Sequence, residues 1–131
     1  MKNSILILFG FILISSSVHS QTTDVKFPVV DVDSKTFSEL IKSGKGVILD
    51  VRSPEEYAEA HIAGAKALNI FDKNFQTEIV KLPKDKEVYV YCAGGGRSAD
   101  AANTLRKHGF KAYNLEYGLD EWIAKGYPVE K

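Results

Sequence analysis

Cys92 is the only cysteine in the sequence, and it lies where a hydrophobic run meets a glycine-rich loop. The run, residues 88–91, is typical of a parallel strand buried on both faces. Gly94, Gly95 and Gly96 then allow the backbone to turn its amide groups inward, and a helix pattern begins at about Ser98. Converging amides and a helix N-terminus both stabilise a thiolate, which is the reactive form of cysteine. The pattern therefore favours a reactive cysteine in an anion-binding loop over the two alternatives, a buried inert thiol and a thiol paired between chains.

Three charged side chains accompany this cysteine in the predicted site. Arg97 is the one charged residue of the loop, and we expect it to attract an anionic substrate rather than to be a solvated surface arginine. Asp50 and Arg52 are two positions apart at the end of another hydrophobic run, so their side chains lie on the same side of the strand. We expect them to form a partly buried polar network that orients the loop.

Hydrophobic runs and helix patterns alternate along the chain. Strands are predicted at residues 27–32, 47–51, 65–70, 87–91 and 112–115, and helices follow them at residues 34–43, 53–61, 74–80, 98–108 and 119–125. Ser34 is expected to cap the first helix, with Gly44 and Gly46 ending it. This alternation predicts βαβ units and a parallel sheet. Ligands of such sheets bind at the carboxyl ends of the strands, where Asp50 and Cys92 lie.

Composition limits the classes of function. The 131 residues suffice for one domain, and 44% hydrophobic and 26% charged residues are typical of a globular protein. Basic and acidic residues number 17 each without a basic run, so nucleic-acid binding is not expected. The three histidines have no ligand spacing with each other or with Cys92, so we expect no metal and no cofactor.

The first residues are typical of an export signal. Lys2 provides a positive charge, residues 5–14 are almost wholly apolar, and small residues lead to a predicted cleavage site after Ser20. The apolar run is about half of the ~20 residues that a membrane-spanning helix needs, which favours a cleaved signal over a retained anchor. We therefore expect a signal peptide at residues 1–20, a leader at 21–26, one domain at 27–131, and a periplasmic or secreted protein without stable membrane insertion.

Three segments of the chain resemble the rhodanese family. Residues 48–57 and 61–65 are similar to its Asp-x-Arg…Glu-Tyr…His-Ile-Pro-Gly-Ala signature, with Ala63 in place of the proline. Residues 92–98 are similar to its Cys-x-x-Gly-x-Arg-Ser loop, and residues 118–129 resemble its usual ending. The resemblance implies an α/β fold with a five-stranded parallel sheet flanked by helices on both faces.

The resemblance also implies a reaction, the transfer of sulfane sulfur through a persulfide on Cys92. The expected donor is a small anion such as thiosulfate, and the acceptor is cyanide, a thiol or another protein. The residues implied to bind the substrate are those of the loop, and Asp50 and Arg52 are implied to support it. The loop residues are Ala93, Gly94, Gly95, Gly96, Arg97 and Ser98.

Other functions are compatible with parts of this pattern. Cysteine phosphatases use a Cys-x5-Arg loop, but the sixth residue after Cys92 is Ser98 and the arginine comes one position early. A loop shorter by one residue suits a sulfur atom better than a phosphate. A binding module without catalysis, or a persulfide carrier that serves a partner protein, remains an alternative. A Cys-x-x-Cys oxidoreductase is excluded because there is no second cysteine.

Overall fold

Strands and helices alternate along the part of the chain that the computed structural model describes, residues 27–131. The predicted signal peptide and leader lie outside these residues. The strands are β1 (Val30–Val32), β2 (Gly46–Asp50), β3 (Lys66–Ala67), β4 (Glu87–Tyr91) and β5 (Ala112–Leu115). The helices are α1 (Ser34–Lys42), α2 (Pro54–Glu59), α3 (Phe75–Ile79), α4 (Gly96–Lys107) and α5 (Gly118–Ala124).

The strands form one parallel sheet in the order β1-β5-β4-β2-β3. Strand β4 is central, and Val90 pairs with Leu49 of β2 on one side and with Asn114 of β5 on the other. The predicted five-stranded parallel sheet is confirmed. Because the sheet is parallel, the carboxyl ends of β2, β4 and β5 meet at one edge, where the loops after Asp50 and Tyr91 are neighbours.

Both faces of the sheet are covered, as the side-chain alternation of β4 shows. Val88 and Val90 point into a core that includes residues of α3 and α4. Tyr89 and Tyr91 point into a second core with residues of α1 and α5. All four side chains are almost completely buried, which confirms the strand buried on both faces. Burial on both faces fixes β4 in place and with it the cysteine that follows.

Several element boundaries differ from the sequence-based expectation. The N-cap of α1 is Asp33, whose carboxylate accepts the Thr36 amide at 2.8 Å, and Ser34 is the first helical residue. Gly44 follows the end of α1 with φ 67°, whereas Gly46 is the first residue of β2. Two adjacent cap-forming residues and two nearby glycines left these positions ambiguous in sequence.

Strand β3 and helix α4 also differ from their predicted lengths. β3 has two residues instead of the six predicted at 65–70. As an edge strand it pairs with β2 alone, and the chain then follows β2 irregularly, with Leu68 and Ile70 amides donating to Asp50 and Val51 carbonyls. α4 begins at Gly96, before the predicted Ser98. Within residues 27–131 no helix is long and apolar enough to cross a membrane.

Candidate active site

Cys92 is the first residue after β4, and residues 92–95 form a short turn into α4. Gly95 caps α4 in the left-handed conformation with φ 100°. A Cβ atom on Gly95 would lie 1.9 Å from the Glu116 carbonyl oxygen, so the turn requires glycine for its conformation and for its close approach to the end of β5. The predicted glycine-rich turn therefore has one position where glycine is indispensable.

The Cys92 sulfur accepts hydrogen bonds from the turn and from the first turn of α4. The Gly95 amide donates to Sγ at 3.1 Å, and the Ser98 hydroxyl donates to Sγ at 3.2 Å. Burial raises the pKa of the Cys92 thiol, but hydrogen bonds from the Ser98 side chain and from the Ser98, Gly95 and Gly94 amides outweigh it, so the pKa is lowered overall. The loop favours a thiolate at this position.

The sulfur lies at the inner side of the turn. Cys92 is only 2% exposed and packs among the core residues beneath the sheet edge. A Cβ atom on Gly94 or Gly96 would meet no atom within 4 Å. The open side of the turn is therefore formed by these two glycines, where backbone rather than side chains faces solvent.

Helix α5 anchors the turn through backbone hydrogen bonds. The Leu119 amide donates to the Cys92 carbonyl at 2.8 Å, and the Asp120 amide donates to the Ala93 carbonyl at 3.0 Å. Gly118 precedes them with φ 70°, and a Cβ there would lie 2.1 Å from the Ala93 oxygen. Sequence reasoning did not assign these residues to the site, because a backbone amide can donate a hydrogen bond whatever side chain the residue carries. Gly118, the glycine next to the predicted helix at 119–125, was the one available indication.

Asn114 on β5 is a second support that sequence reasoning missed. It is 2% exposed, and its Nδ2 donates to Asp31 Oδ1 at 2.9 Å and more weakly to the Gly95 carbonyl at 3.4 Å. A polar residue within a strand was the available signal. The contact connects the turn to β5 and to the edge strand β1.

Asp50 and Arg52 form the buried polar network that the sequence predicts. Arg52 Nη2 donates to Asp50 Oδ2 at 2.8 Å, and Nε donates to Oδ1 at 3.0 Å. Nη2 also donates to the Ala60 carbonyl at 2.6 Å, at the C-terminal end of α2. Burial lowers the pKa of Arg52, but the Asp50 contacts raise it by a larger amount, so the net shift is upward and the guanidinium stays charged. The pair fixes α2 against β2, and its link to the Cys92 turn is indirect.

Arg97 extends from the first turn of α4 to Glu56 on α2. Its Nη1 and Nη2 donate to the two Glu56 carboxylate oxygens at 2.7 and 2.9 Å. The Arg97 hydrogen bonds, outweighing partial burial, lower the pKa of Glu56 to about 2. Two of the five guanidinium N–H groups are thereby engaged, so the arginine expected to attract an anion already holds a carboxylate. Sequence reasoning gave Glu56 no role in the site.

Metal-ligating clusters are absent from the described part of the chain: residues 27–131 contain no group of three or more His, Cys, Asp and Glu side chains that could hold a metal ion. His61 Nδ1 lies 2.8 Å from the Tyr57 carbonyl, and its ring stacks on the Tyr57 ring. His61 therefore has a structural contact at the end of α2.

Comparison with known proteins shows the family of this chain. Residues 33–125 match the rhodanese-like domain. A sulfurtransferase of Allochromatium vinosum is 31% identical over 103 residues, which cover 77% of this chain and 94% of the relative. A rhodanese-related protein from Thermoplasma volcanium superimposes with a TM-score of 0.69 at 34% identity, covering 77% of this chain and 97% of that one.

Other relatives are longer proteins. A tRNA sulfurtransferase of Desulfurococcus amylolyticus is 42% identical over 108 residues, covering 76% of this chain and 21% of the relative. A Bacillus subtilis protein whose name describes a sulfur carrier is 32% identical over 109 residues, covering 82% of this chain and 57% of the relative. The chain belongs to the rhodanese-like family of sulfurtransferases and sulfur carriers.

Proposed function

We propose that this protein transfers sulfane sulfur from a small anionic donor of the thiosulfate type to a thiophilic acceptor through a persulfide on Cys92. The observation that carries the proposal is the environment of Sγ, which accepts from the Gly95 amide and the Ser98 hydroxyl. A thiol pKa below the ordinary value increases the fraction of Cys92 that is thiolate, and the thiolate is the nucleophile.

In the first half-reaction, the Cys92 thiolate attacks the outer sulfur of thiosulfate. A sulfur–sulfur bond forms to Cys92, the bond within thiosulfate breaks, and sulfite leaves with the electron pair. The enzyme then carries Cys92-S-S⁻. In the second half-reaction, an acceptor such as cyanide attacks the outer sulfur, leaves as thiocyanate, and restores the thiolate. Each half-reaction conserves charge and requires no further oxidant or reductant.

The turn stabilises the negative charge in both half-reactions. The first N–H groups of an α-helix have no intrahelical partner, and those of α4 belong to Gly96, Arg97 and Ser98. Together with the Gly95 amide, they supply donors for an anionic sulfur that extends beyond Sγ. Oriented backbone donors of this kind contribute about 3 kcal/mol each in comparable oxyanion sites. Ala93 shapes the turn and the Gly94 amide adds a further donor, and the Asp50–Arg52 pair at the end of β2 supports the site indirectly.

The experiment that tests this function is intact-protein mass spectrometry. Incubation with thiosulfate should add the mass of one sulfur atom, and cyanide should remove it and release thiocyanate. Cys92→Ser replaces the thiol with a hydroxyl of similar size that cannot form a persulfide, and this variant should gain no mass. An unchanged wild-type mass, with Cys92 shown to be a free thiol, would refute the proposal.

A persulfide carrier that serves a protein partner is the second candidate function, supported by the relative whose name describes a sulfur carrier. The same chemistry at Cys92 would then load from another protein and turn over poorly with thiosulfate. Steady-state kinetics separate the two: persulfide formation with slow thiocyanate production favours the carrier, and rapid turnover favours the thiosulfate enzyme.

We also propose that the protein is exported to the periplasm or secreted, because residues 1–20 have the composition of a cleaved signal peptide. N-terminal sequencing of the protein from an exporting host should then begin at Gln21. A chain that retains Met1 would contradict this proposal without affecting the proposed chemistry.

A further inference from the structure

Two ion pairs lie around the Cys92 turn. Asp50 with Arg52 is buried at the end of β2, and Glu56 with Arg97 lies partly exposed at the start of α4. Arg97 interacts electrostatically with the Cys92 thiolate. Because each arginine is paired with a carboxylate, neither offers an incoming anion the full charge of a free guanidinium.

The Glu56–Arg97 pair is a fixed feature of the site. Glu56 belongs to a capping box: its amide donates to Ser53 Oγ at 3.2 Å, and its carboxylate accepts from the Ser53 amide at 3.4 Å. Its pKa of about 2 keeps the carboxylate ionised at neutral pH. The carboxylate is thus held from α2 and the guanidinium from α4, the helix that follows the turn carrying the sulfur.

We propose, on the basis of the sulfurtransferase function above, that Glu56 determines the charge of the donor that this site accepts. By pairing with Arg97 it cancels positive charge beside Cys92, and this disfavours dianionic donors such as thiosulfate relative to monoanionic or neutral ones. The favoured class includes organic thiosulfonates and organic persulfides, which deliver the same sulfane sulfur with less charge.

The expected size of the effect follows from the partial exposure of the pair. The Arg97 and Glu56 side chains are 29% and 34% exposed, so solvent screens their interaction with a donor. Freeing one unit of positive charge in such a site should improve use of a dianion about fivefold to tenfold, and use of a monoanion about twofold to threefold. The dependence on donor charge, rather than a change in rate alone, identifies this role.

The test compares Glu56→Gln with Glu55→Gln. A glutamine in place of Glu56 has nearly the same size as glutamate and can maintain the capping box, which accepts either residue. Glu55 lies next to Glu56 on α2 and is exposed, so its variant makes the same change in net charge away from Arg97. Circular dichroism and thermal unfolding establish that both variants fold.

The first measurement is kcat/KM with thiosulfate, a dianion, and with benzenethiosulfonate, a monoanion. Glu56→Gln should raise both values, by a larger factor for thiosulfate, and high salt should reduce the difference. Glu55→Gln should behave as the wild type. An equal change for the two donors, or a loss with both, would show that Glu56 only positions Arg97, and would overturn the proposal.

The second measurement does not require sulfur transfer. Iodoacetate and iodoacetamide alkylate the same thiolate and differ in charge, so the ratio of their rates reports the potential at Sγ independently of the thiolate fraction. Glu56→Gln should raise the iodoacetate-to-iodoacetamide ratio about twofold to threefold. An unchanged ratio overturns donor selection by charge, whereas a raised ratio in a protein that gains no sulfur refutes the sulfurtransferase function instead.

Discussion

Ser98 provides the most direct test of how the turn activates its cysteine. Its hydroxyl is completely buried and lies 3.2 Å from Cys92 Sγ and also 3.2 Å from the Gly95 carbonyl oxygen. A hydroxyl has one hydrogen, so it donates to one of these acceptors at a time. It therefore donates to the sulfur when Cys92 is a thiolate and can turn to the carbonyl when Cys92 is protonated. Ser98→Ala removes the donor that distinguishes the two states.

The magnitude follows from this competition. A hydrogen bond to a charged acceptor contributes about 1.5–3 kcal/mol, and the alternative bond to the carbonyl offsets about 1 kcal/mol of it. A net loss of about 1.4 kcal/mol corresponds to a factor of about ten in the ratio of thiolate to thiol. Ser98→Ala should therefore raise the pKa of Cys92 and slow its reaction with iodoacetamide at neutral pH by up to about tenfold.

The assay is the rate of iodoacetamide alkylation across a pH series, followed by intact mass. Thr104→Ala is the matched control, because it removes a hydroxyl from the same helix that donates to the Asp100 carbonyl instead of to sulfur. At high pH, where both proteins are thiolates, Ser98→Ala and the wild type should react at similar rates. An alkylation profile identical to that of the wild type would refute this account of thiolate stabilisation.

Three further predictions concern the supports of the turn. Gly118→Ala should strongly slow alkylation and sulfur loading, because its Cβ would collide with the Ala93 carbonyl. Gly109 also has a positive φ (88°), but a Cβ there would meet no atom within 4 Å, so Gly109→Ala should leave both rates unchanged. Equal effects of the two variants would show that backbone strain, and not the collision, is the cause. Asp50→Asn should lower the free energy of unfolding, measured in urea, by about 3–5 kcal/mol because Arg52 would stay buried without its anion. A loss below about 1 kcal/mol would show that Arg52 does not need this carboxylate. Pairing with Arg97 lowers the pKa of Glu56 from 4.5 to about 2, so the ion pair stabilises the fold above about pH 4.5 and this stabilisation is lost as the pH falls toward 2. The difference in unfolding free energy between the wild type and Glu56→Gln should therefore shrink over that pH range. A constant difference would contradict this role of the pair.

The sequence predicted those features that depend on neighbouring residues. The hydrophobic run before Cys92 and the glycines after it indicate a buried strand and a tight turn, and the structure contains both. The predicted helix at residues 53–61 is likewise local, since the capping box that starts α2 is complete within four successive residues. Local periodicity and turn-forming residues decide such features, and both can be recognised within a short stretch of consecutive residues.

Contacts between distant segments were beyond sequence reasoning. Arg97 and Glu56 are 41 positions apart, and no local pattern indicates that α2 and α4 approach each other with these two side chains facing. Asn114 and Asp31 are 83 positions apart and meet only because β1 and β5 are neighbours in the sheet. Sequence reasoning therefore expected Arg97 to attract an anionic substrate and did not indicate its pairing with Glu56.

The sequence by itself determined the fold class, the position of the proposed nucleophile and the backbone turn that surrounds it, because each rests on residue types within a few positions of one another. Only the tertiary structure decided the charge around the sulfur and the anchoring of the turn. The fold brings α2 and α5 to the Cys92 turn, where Glu56 pairs with Arg97 and the amides of Leu119 and Asp120 hold the turn. Electrostatic potential and backbone hydrogen bonding depend on distances in space, which the order of residues along the chain does not specify.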